Sequence, residues 1–278
     1  MRPNCSIMKM KFFKKLLALV QGQDFVFSEF LLLRFARMKH TNGRNERPLV
    51  SIVIATYNRG KILCNRTLPA ILNQTYTNLE VIVVGDCVAD NTVELISHIN
   101  DARLKFTNLP VRTEYPSDPV ARWMVAGAIP RNVGIELAKG EWIYVISDDD
   151  VLFPDCLEKM VAFAVENDFE SISAAISYLS EDGVEKKLTA EDVEKRLGIY
   201  MTGVPAWMYR SYLSFFKWNI NSWKKSWNRP SDYDLQHRMR NSGVRMGYFD
   251  DAVATSPPVE NTLLKGSQAA IYLSQNQG

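Results

Sequence analysis

Between residues 48 and 165, short apolar runs alternate with segments of helical periodicity. Four runs rich in β-branched and aromatic residues predict strands, at 50–55, 79–84, 103–107 and 141–147. Helical spacing predicts helices at about 61–74, 91–99, 130–140 and from residue 154 onward, with a long loop up to residue 129. Near-continuous apolar strands separated by helices are typical of a parallel sheet with both faces covered. The pattern therefore predicts an α/β fold around a mostly parallel central sheet.

The pattern loosens after about residue 167. It predicts strands at 171–179 and 206–210 and a helix at 231–241. Four of the six tryptophans fall in this part of the chain, at positions 207, 218, 223 and 227. Two interpretations of them stay open. They fill a core or an interface, or their flat faces bind the apolar side of a sugar ring.

The first 47 residues differ from the rest in charge. Ten Lys and Arg against three Asp and Glu give residues 1–47 a net charge of +7, so the remaining chain carries −5 of the overall +2. Two apolar stripes at helical spacing predict two short helices, the second starting at Phe27, and polar residues 41–48 predict a linker. The helices either pack on the body or lie in an anionic membrane interface, and the two can coexist.

These shifts divide the chain into three predicted parts. A basic helical extension covers residues 1–47, and a tail covers residues 259–278. The main domain, 48–258, comprises a donor and metal half (48–155) and an acceptor half (156–258).

Composition narrows the class of protein. Hydrophobic residues make up 46% and charged residues 23%, as in an ordinary globular chain. The overall charge of +2 argues against a nucleic-acid binder, which usually carries a large basic excess. The four cysteines lack zinc-ligand spacing, and scattered cysteines fit a reducing cytosol. No apolar run approaches the roughly 18 to 20 residues that span a bilayer. We expect a cytoplasmic protein, with peripheral contact at the inner face of the membrane as an option.

Polar residues cluster where three of the predicted strands end. The segment 56–59 (Thr-Tyr-Asn-Arg) follows the first strand, Asp86 follows the second, and the three aspartates 148–150 follow the fourth. Ligands bind at this edge of an open parallel sheet. Three consecutive acids favour a divalent cation, Mg²⁺ or Mn²⁺, that bridges to phosphates. The alternative is a set of N-caps for the helix near Pro154. No Gly-rich dinucleotide motif or P-loop accompanies them.

Four motifs in register resemble the family 2 glycosyltransferases. They are Pro-Leu-Val-Ser-Ile-Val-Ile-Ala-Thr-Tyr-Asn-Arg (48–59), Leu-Glu-Val-Ile-Val-Val-Gly-Asp (79–86), Arg-Asn-x-Gly (131–134) and Gly-Glu-Trp-Ile-Tyr-Val-Ile-Ser-Asp-Asp-Asp (140–150). The resemblance covers about residues 48 to 165. It implies a GT-A fold, a nucleotide-sugar donor, a divalent metal and inversion at the anomeric carbon.

The resemblance also implies how the donor is bound. Ala55, Thr56 and Tyr57 line the base and ribose, with Tyr57 stacked on the base, and Asn58 belongs to the same segment. Asp86 matches the acid that accepts a hydrogen bond from the base.

For the diphosphate and the metal, the resemblance points to two further segments. Asn132, together with Arg131, faces the diphosphate or shapes its pocket. The acids of the DxD motif match 148–150: Asp148 lies near the ribose or the metal, and Asp149 and Asp150 are the implied metal ligands, for Mn²⁺ or Mg²⁺.

The second half resembles the family more weakly. By its register Asp232 is the catalytic base; the alternative is a simple N-cap of its helix, and one residue can play both parts. Asp234 is the fallback, matched to a helix-surface position. The chain departs from the family pattern at Gly85, Ser147 and Ser231, where acids are usual.

These implications define an expected function. The chain is an inverting, metal-assisted hexosyltransferase of polysaccharide or glycoconjugate biosynthesis, using a nucleoside-diphosphate sugar and a saccharide or lipid-linked acceptor. UDP is favoured by family frequency alone. The alternatives are a glycosyltransferase-like module that binds a sugar nucleotide without turnover, or a sugar-nucleotide pyrophosphorylase, whose Gly-rich basic signature after the first strand is missing.

Overall fold

An apolar strand, β1 (Val50–Thr56), forms the centre of the parallel part of the sheet. It pairs in parallel with β2 (Leu79–Gly85) on one side and with β4 (Trp142–Ser147) on the other, and β3 (Leu104–Asn108) extends the sheet beyond β2. The register places Thr56 opposite Gly85, and Ala55 opposite Ser147. The polar segments that follow these strands therefore meet at one edge, as the sequence predicts.

This computed structural model describes residues 27–40, 45–179, 185–189, 202–225 and 229–257. The other strands of the described sheet are β5 (Val151–Leu152), β6 (Ser171–Leu179), β7 (Glu185–Leu188), β8 (Trp207–Arg210) and β9 (Met246–Thr255). The helices are α1 (Phe27–Lys39), α2 (Gly60–Ile62, continuing through the π-helical Leu63–Thr67 to Leu68–Leu72), α3 (Thr92–Ser97), α4 (Pro119–Val125), α5 (Ala128–Leu137), α6 (Cys156–Glu166) and α7 (Ser231–Asn241).

The second half of the sheet is mixed, whereas the first half is parallel. Beyond β4 the order continues β8-β6-β9-β5, and β7 pairs with β6 off this path. β8 is antiparallel to both β4 and β6, while β9 is parallel to β6 with irregular register near Ala174 and Ala175. The α/β class is confirmed, and β6, β8 and α7 form where the sequence predicts them. The sequence did not predict β9, whose run is interrupted by Asp250 and Asp251.

The loop predicted before residue 129 contains a helix, which corrects that expectation. Asp118 caps α4, because its side chain accepts a hydrogen bond from the Ala121 amide at 2.7 Å, and Pro119 occupies the first turn. A left-handed residue, Gly127 (φ 76°), then turns the chain into α5. The Asp-Pro pair was a readable helix start in an otherwise polar segment.

α5 lies very close to the central strand. A Cβ on Gly134 would stand 2.5 Å from Val53 Cγ1, so only glycine permits this approach. Buried apolar residues cover both faces of the sheet, with Ile52 and Ile54 facing one layer and Val53 facing the other. The close packing brings the Arg131–Gly134 segment next to the carboxyl ends of the strands.

α1 packs on the body of the protein. Leu33 is buried, Arg37 Nε donates to Glu170 Oε1 at 2.6 Å, and Glu29 pairs with Arg238 of α7. The earlier predicted helix, residues 41–44 of the predicted linker and the tail at 259–278 lie outside the described residues. Among the helices that the structure describes, none is long and apolar enough to cross a membrane.

Candidate active site

Thr56, the last residue of β1, is hydrogen-bonded to the residues that directly follow β2 and β4. Its carbonyl accepts a hydrogen bond from the Asp86 amide at 2.9 Å, and its hydroxyl donates to Asp148 Oδ2 at 2.7 Å. Ala55, one residue earlier, is half-buried beneath Gly127. Asn58 has a left-handed backbone (φ 53°), and its Oδ1 accepts from the Ala89 amide at 2.9 Å. This side chain therefore holds the loops after β1 and β2 together.

A cationic side chain already lies between the first two aspartates. Arg59 donates to Asp148 Oδ1 at 2.8 Å and to Asp149 Oδ2 at 2.7 Å. Burial raises the pKa of Asp148 to about 6, although the Arg59 charge and the Thr56 hydroxyl oppose the rise. Asp149 is the more exposed acid of this pair. Arg59 thus supplies the positive charge that two adjacent carboxylates need.

Asp150 makes separate contacts. Its Oδ1 accepts from the Ser256 hydroxyl at 2.5 Å, and its carbonyl accepts from the Thr67 hydroxyl at 2.9 Å. Burial and the Asp149 charge raise the pKa of Asp150 to about 7, against donors from Ser147 and Ser256. Ser147, where the family often has an acid, therefore hydrogen-bonds to the acid triplet.

Within the described residues, protein side chains alone do not supply a full set of metal ligands. Across the described residues, no three His, Cys, Asp or Glu side chains come together as a metal site. Asp148 and Asp149 nevertheless present carboxylate oxygens to one cation, the Arg59 guanidinium. Mg²⁺ is commonly held by one or two carboxylates together with substrate phosphates. These two residues fit a metal that arrives with a diphosphate, whereas Asp150 is directed to Ser256.

Asp86 is buried and fully hydrogen-bonded within the chain. Its Oδ1 accepts from the Thr113 amide at 3.0 Å and from the Thr113 hydroxyl at 2.7 Å. Its Oδ2 accepts from the Tyr115 hydroxyl at 2.7 Å and from Arg112. Tyr57, which is 41% exposed, carries the Arg112 guanidinium over its ring. The acid and the ring that the sequence assigns to a nucleobase are therefore both in contact with Arg112.

The packing around Gly85 explains why this position holds a glycine and not the acid common in the family. A Cβ there would lie 2.7 Å from Asn108 Oδ1 and 3.2 Å from Phe106. Asn108 in turn accepts from the Val88 amide at 2.9 Å and shapes the loop after β2. The acid common in the family at this position does not fit this packing.

Arg131 lies among the acids of both halves. Its charge acts on Asp232, Asp148 and Asp150, and burial lowers its own pKa. One of its nitrogens donates to the Ala126 carbonyl at 2.7 Å, while its buried Nε has no partner within the described part of the chain. An unpaired buried N–H of a guanidinium suits a phosphate oxygen.

Asn132 has a structural contact instead. Its Nδ2 donates to the Trp218 carbonyl and its Oδ1 accepts from the Trp218 amide, both at 2.9 Å. It therefore fixes the segment around Trp218, whose ring lies under the Arg131 guanidinium at 4.8 Å. Both polar atoms of the Asn132 side chain are thus hydrogen-bonded to the Trp218 backbone.

Asp232 stands in the first turn of α7, half-buried. Its Oδ1 accepts from the Tyr233 amide at 3.0 Å. Burial raises the pKa of this carboxyl, against the Tyr233 amide and the Arg131 charge. Gly203 lies directly against it, because a Cβ on Gly203 would overlap Asp232 Oδ2.

Asp234 is not on the helix surface, which corrects the position expected for it. It is fully buried and pairs with Lys225 and with Arg238, whose Nε lies 3.1 Å from Asp234 Oδ2. Arg238 also pairs with Glu29 of α1. Asp234 is therefore neutralised inside a buried charge network that joins α7 to α1.

The packing of the described tryptophans agrees with the core or interface interpretation. Trp207 and Trp218 are buried, with ring centres 5.9 Å apart, so they fill a core. Trp223 is only half-buried and packs beside Met124 and Val125. Trp227 lies outside the described residues.

Comparison with known proteins decides the family. The sequence profile of Glycosyl transferase family 2 matches residues 51–218, more than half of the chain. The chain belongs to glycosyl transferase family 2.

Relatives of this glycosyltransferase-family chain include two bacterial proteins. It is 33% identical over 150 residues to the succinoglycan biosynthesis protein ExoO of Rhizobium meliloti, covering 54% of this chain and 39% of the relative. It is 27% identical over 187 residues to the uncharacterized glycosyltransferase YibD of Escherichia coli, covering 66% and 50%. The chain thus spans about half, or less, of the length of these relatives.

Solved structures confirm the GT-A fold of this family 2 member. Staphylococcus aureus TarS 1–349 in complex with UDP-GlcNAc superposes with a TM-score of 0.58 at 21% identity, covering 78% of this chain and 61% of that one. Mannosyltransferase PcManGT from Pyrobaculum calidifontis, in complex with GDP-Man and Mn²⁺, gives 0.55 at 18% identity, covering 84% and 66%.

Sequence reasoning missed three residues at this family 2 site. Arg59 was read as part of a motif without a partner, and Gly203 carried no signal, since its role depends on a contact with Asp232. Arg112 lies in the predicted loop, where a lone arginine has no helical or strand spacing to place it. The role of each of these three residues depends on the residue that it contacts in the folded chain.

Proposed function

We propose that this family 2 member transfers a hexose from a nucleoside-diphosphate sugar, with UDP preferred, to an acceptor hydroxyl, with inversion. The observation that carries the proposal is that Arg131, which has an unpaired buried Nε, is coupled electrostatically to Asp148, Asp150 and Asp232. One cation thus interacts with two of the three acids after β4 and with the acid of α7, as a donor diphosphate beside an acceptor hydroxyl requires.

In the proposed reaction, Asp232 removes the proton from the acceptor hydroxyl as that oxygen attacks the anomeric carbon. The new C–O bond forms on one face while the bond between the anomeric carbon and the diphosphate oxygen breaks on the other. The departing nucleoside diphosphate takes both electrons of that bond. A base placed in this way accelerates such a step by about 10² to 10⁴-fold. The raised pKa of Asp232 suits a group that must accept a proton.

Negative charge on the leaving diphosphate would be offset by Arg131 and by a divalent cation at the Asp148–Asp149 pair, which Arg59 now contacts. We propose that Asp149 and Asp148 would hold Mn²⁺ or Mg²⁺ when the donor is bound, whereas Asp150, the other ligand that the family resemblance implies, accepts from Ser256. Such an ion stabilises the negative charge of the diphosphate. A fold neighbour with Mn²⁺ supports this choice of ion class.

We propose that the base of the donor occupies the space now held by Arg112. It would stack on Tyr57 and donate a hydrogen bond to Asp86 once Arg112 has moved. Ala55, Thr56 and Asn58 would line this pocket through backbone and packing. Two fold neighbours are in complex with UDP-GlcNAc and with GDP-Man, so the proposed preference for UDP rests on the frequency of that base in the family.

For the acceptor, we propose a saccharide or a lipid-linked saccharide of polysaccharide or glycoconjugate biosynthesis. Relatives named for succinoglycan and teichuronic acid biosynthesis support this class. We place the reaction in the cytoplasm, because the four cysteines are scattered along the chain, as is usual for proteins of a reducing compartment.

A second candidate is a module that binds a sugar nucleotide without turnover. The observation that favours it is that the acids of the candidate site are already paired within the chain. Arg112 pairs with Asp86, and Arg59 pairs with both Asp148 and Asp149. Nucleotide binding alone would then displace Arg112 and Arg59 with no reaction following.

One assay separates the two. The protein is incubated with UDP- and GDP-sugars, with Mn²⁺, Mg²⁺ or a chelator, and release of nucleoside diphosphate is measured. We expect metal-dependent UDP release that Asp232→Asn reduces by about 10² to 10⁴-fold. Binding of nucleotide with no release by the wild type, across saccharide and lipid-linked acceptors, would establish the binding module.

A further inference from the structure

Two charged side chains of the helix α1 face the body of the protein. Glu29 and Arg37 face the body, where they pair with Arg238 and with Glu170. Leu33 lies between them in the sequence at the same four-residue spacing and is buried. These three side chains define the inner face of α1. Helices of globular proteins usually bury their apolar side and leave charges in water.

The opposite side of α1 is apolar and exposed. Phe27, Leu31, Phe35 and Met38 are 63%, 39%, 57% and 65% exposed, and their spacing places them on one stripe. We call these four residues the outer face of α1. Exposed apolar side chains grouped on one helix face mark an interaction site more often than scattered ones do.

Basic side chains border the outer face. Arg34 and Lys39 are exposed, and the single acid of the helix, Glu29, is already paired on the inner face. The 26 residues that precede α1 contain five Lys or Arg and one Asp. The helix and the chain leading into it are therefore positive together.

This charge pattern selects the occupant. The preceding segment and a second copy of α1 would each bring more positive charge against a positive, apolar stripe. An anionic lipid surface offers the opposite charge at its headgroups and an apolar layer beneath them. From this match we infer that the outer face of α1 docks on an anionic membrane surface.

The docking face is held rigidly against the acceptor half. Arg238, the partner of Glu29, belongs to α7, whose first turn contains Asp232. Glu170 precedes β6 and also accepts from the Tyr212 hydroxyl and the Arg245 amide, both at 2.7 Å. A membrane bound to α1 therefore has a defined orientation relative to Asp232. This inference deepens the proposed function, because it selects the lipid-linked acceptor over a free saccharide.

Binding of the full chain to vesicles tests the inference without any turnover. Phosphatidylcholine vesicles with and without phosphatidylglycerol are compared by co-sedimentation, at low and high salt. We expect binding to the anionic vesicles only, weakened by salt. Replacing all four outer-face residues by Ser should reduce that binding by about tenfold or more, since the apolar contact area is lost.

A matched control uses exposed apolar residues elsewhere. Val93, Val111 and Leu137 are also exposed, and replacing them by Ser should leave vesicle binding unchanged. Arg34→Glu with Lys39→Glu should weaken binding while keeping the apolar stripe. Equal binding by wild type and the outer-face variant, or no binding by the wild type, would overturn the inference. A dimer that dissociates in the outer-face variant would instead identify a second copy as the occupant.

The outcome is independent of the proposed reaction. Release of nucleoside diphosphate by the outer-face variant, measured without vesicles, should match the wild type. Loss of membrane binding with intact release would separate docking from catalysis. Vesicle binding by a chain that releases no nucleotide would support docking and count against the proposed transferase.

Discussion

The guanidinium carbon of Arg112 lies 3.4 Å from the centre of the Tyr57 ring. The same guanidinium donates to Asp86, which completes four hydrogen bonds to that carboxylate. A carboxylate offers about four acceptor positions, so a further donor must replace one of these. The Arg112 side chain is 36% exposed and blocks both of the contacts proposed for a base.

Removing this side chain should therefore strengthen nucleotide binding. For Arg112→Gln we expect the dissociation constant of UDP to fall by roughly twofold to thirtyfold, the range of a cation–π contact that no longer has to be broken. Titration calorimetry measures it, with Arg34→Gln on α1 as the control that removes the same charge elsewhere. Weaker binding by Arg112→Gln would show that the arginine contacts the bound base instead of blocking it.

Arg59 should couple metal binding to stability. In Arg59→Gln the buried Asp148 loses its cation, so we expect the free energy of unfolding without metal to fall by about 1 to 3 kcal/mol. Mn²⁺ should then raise the melting temperature more in the variant than in the wild type. Arg59→Lys keeps one charge but cannot bridge Asp148 and Asp149 in the same geometry, so its response should be intermediate. Identical Mn²⁺ responses in all three proteins would contradict a shared cation site.

Asp232 should determine the acid limb of the pH profile. Burial raises the pKa of this carboxyl above its usual value of 3.8. The base works in its deprotonated form, so the rate should fall as pH decreases through this raised pKa and should level off above it. Asp232→Asn should lose the turnover described above, together with this limb, and keep UDP affinity. An unchanged profile in the variant would remove Asp232 from the reaction.

Replacing Asp234 should reduce the stability of the protein, whereas replacing Asp232 should reduce its turnover. It is fully buried between Lys225 and Arg238, so Asp234→Asn leaves two buried cations without their shared carboxylate. We expect the free energy of unfolding to fall by about 3 to 5 kcal/mol. Asp250→Asn is the control, because that acid is 85% exposed and only 4.0 Å from Lys187. A fully stable Asp234→Asn that lacks turnover would instead make Asp234 the base.

Gly203 should be required for the position of Asp232. A methyl group there would overlap Asp232 Oδ2, so Gly203→Ala must move the carboxylate. We expect turnover to fall by at least about tenfold with nucleotide affinity unchanged, because misplacing a base reduces its contribution. Gly243→Ala is the control: its Cβ meets open space, and its left-handed backbone (φ 87°) makes the change cost about 1 kcal/mol of stability. Full activity in Gly203→Ala would show that the two residues are not coupled.

The sequence by itself determined the parallel half of the fold and its reactive edge. Buried apolar strands have a strong local signature, and parallel pairing brings their carboxyl ends together. Thr56, Asp86 and Asp148 could therefore be placed at one edge before any coordinates. The Ser231–Asn241 helix was readable for a similar reason, since its spacing is local.

Tertiary structure alone decided which charges neutralise one another. Arg59 with Asp148 and Asp149, Arg112 with Asp86, and Arg238 with Glu29 join segments up to 209 residues apart, and no local spacing encodes such pairs. It also buried Asp234 and turned the apolar stripe of α1 outward, where helical periodicity alone predicts only that a stripe exists. Periodicity reports which residues share a face; what that face meets depends on the packing of distant segments.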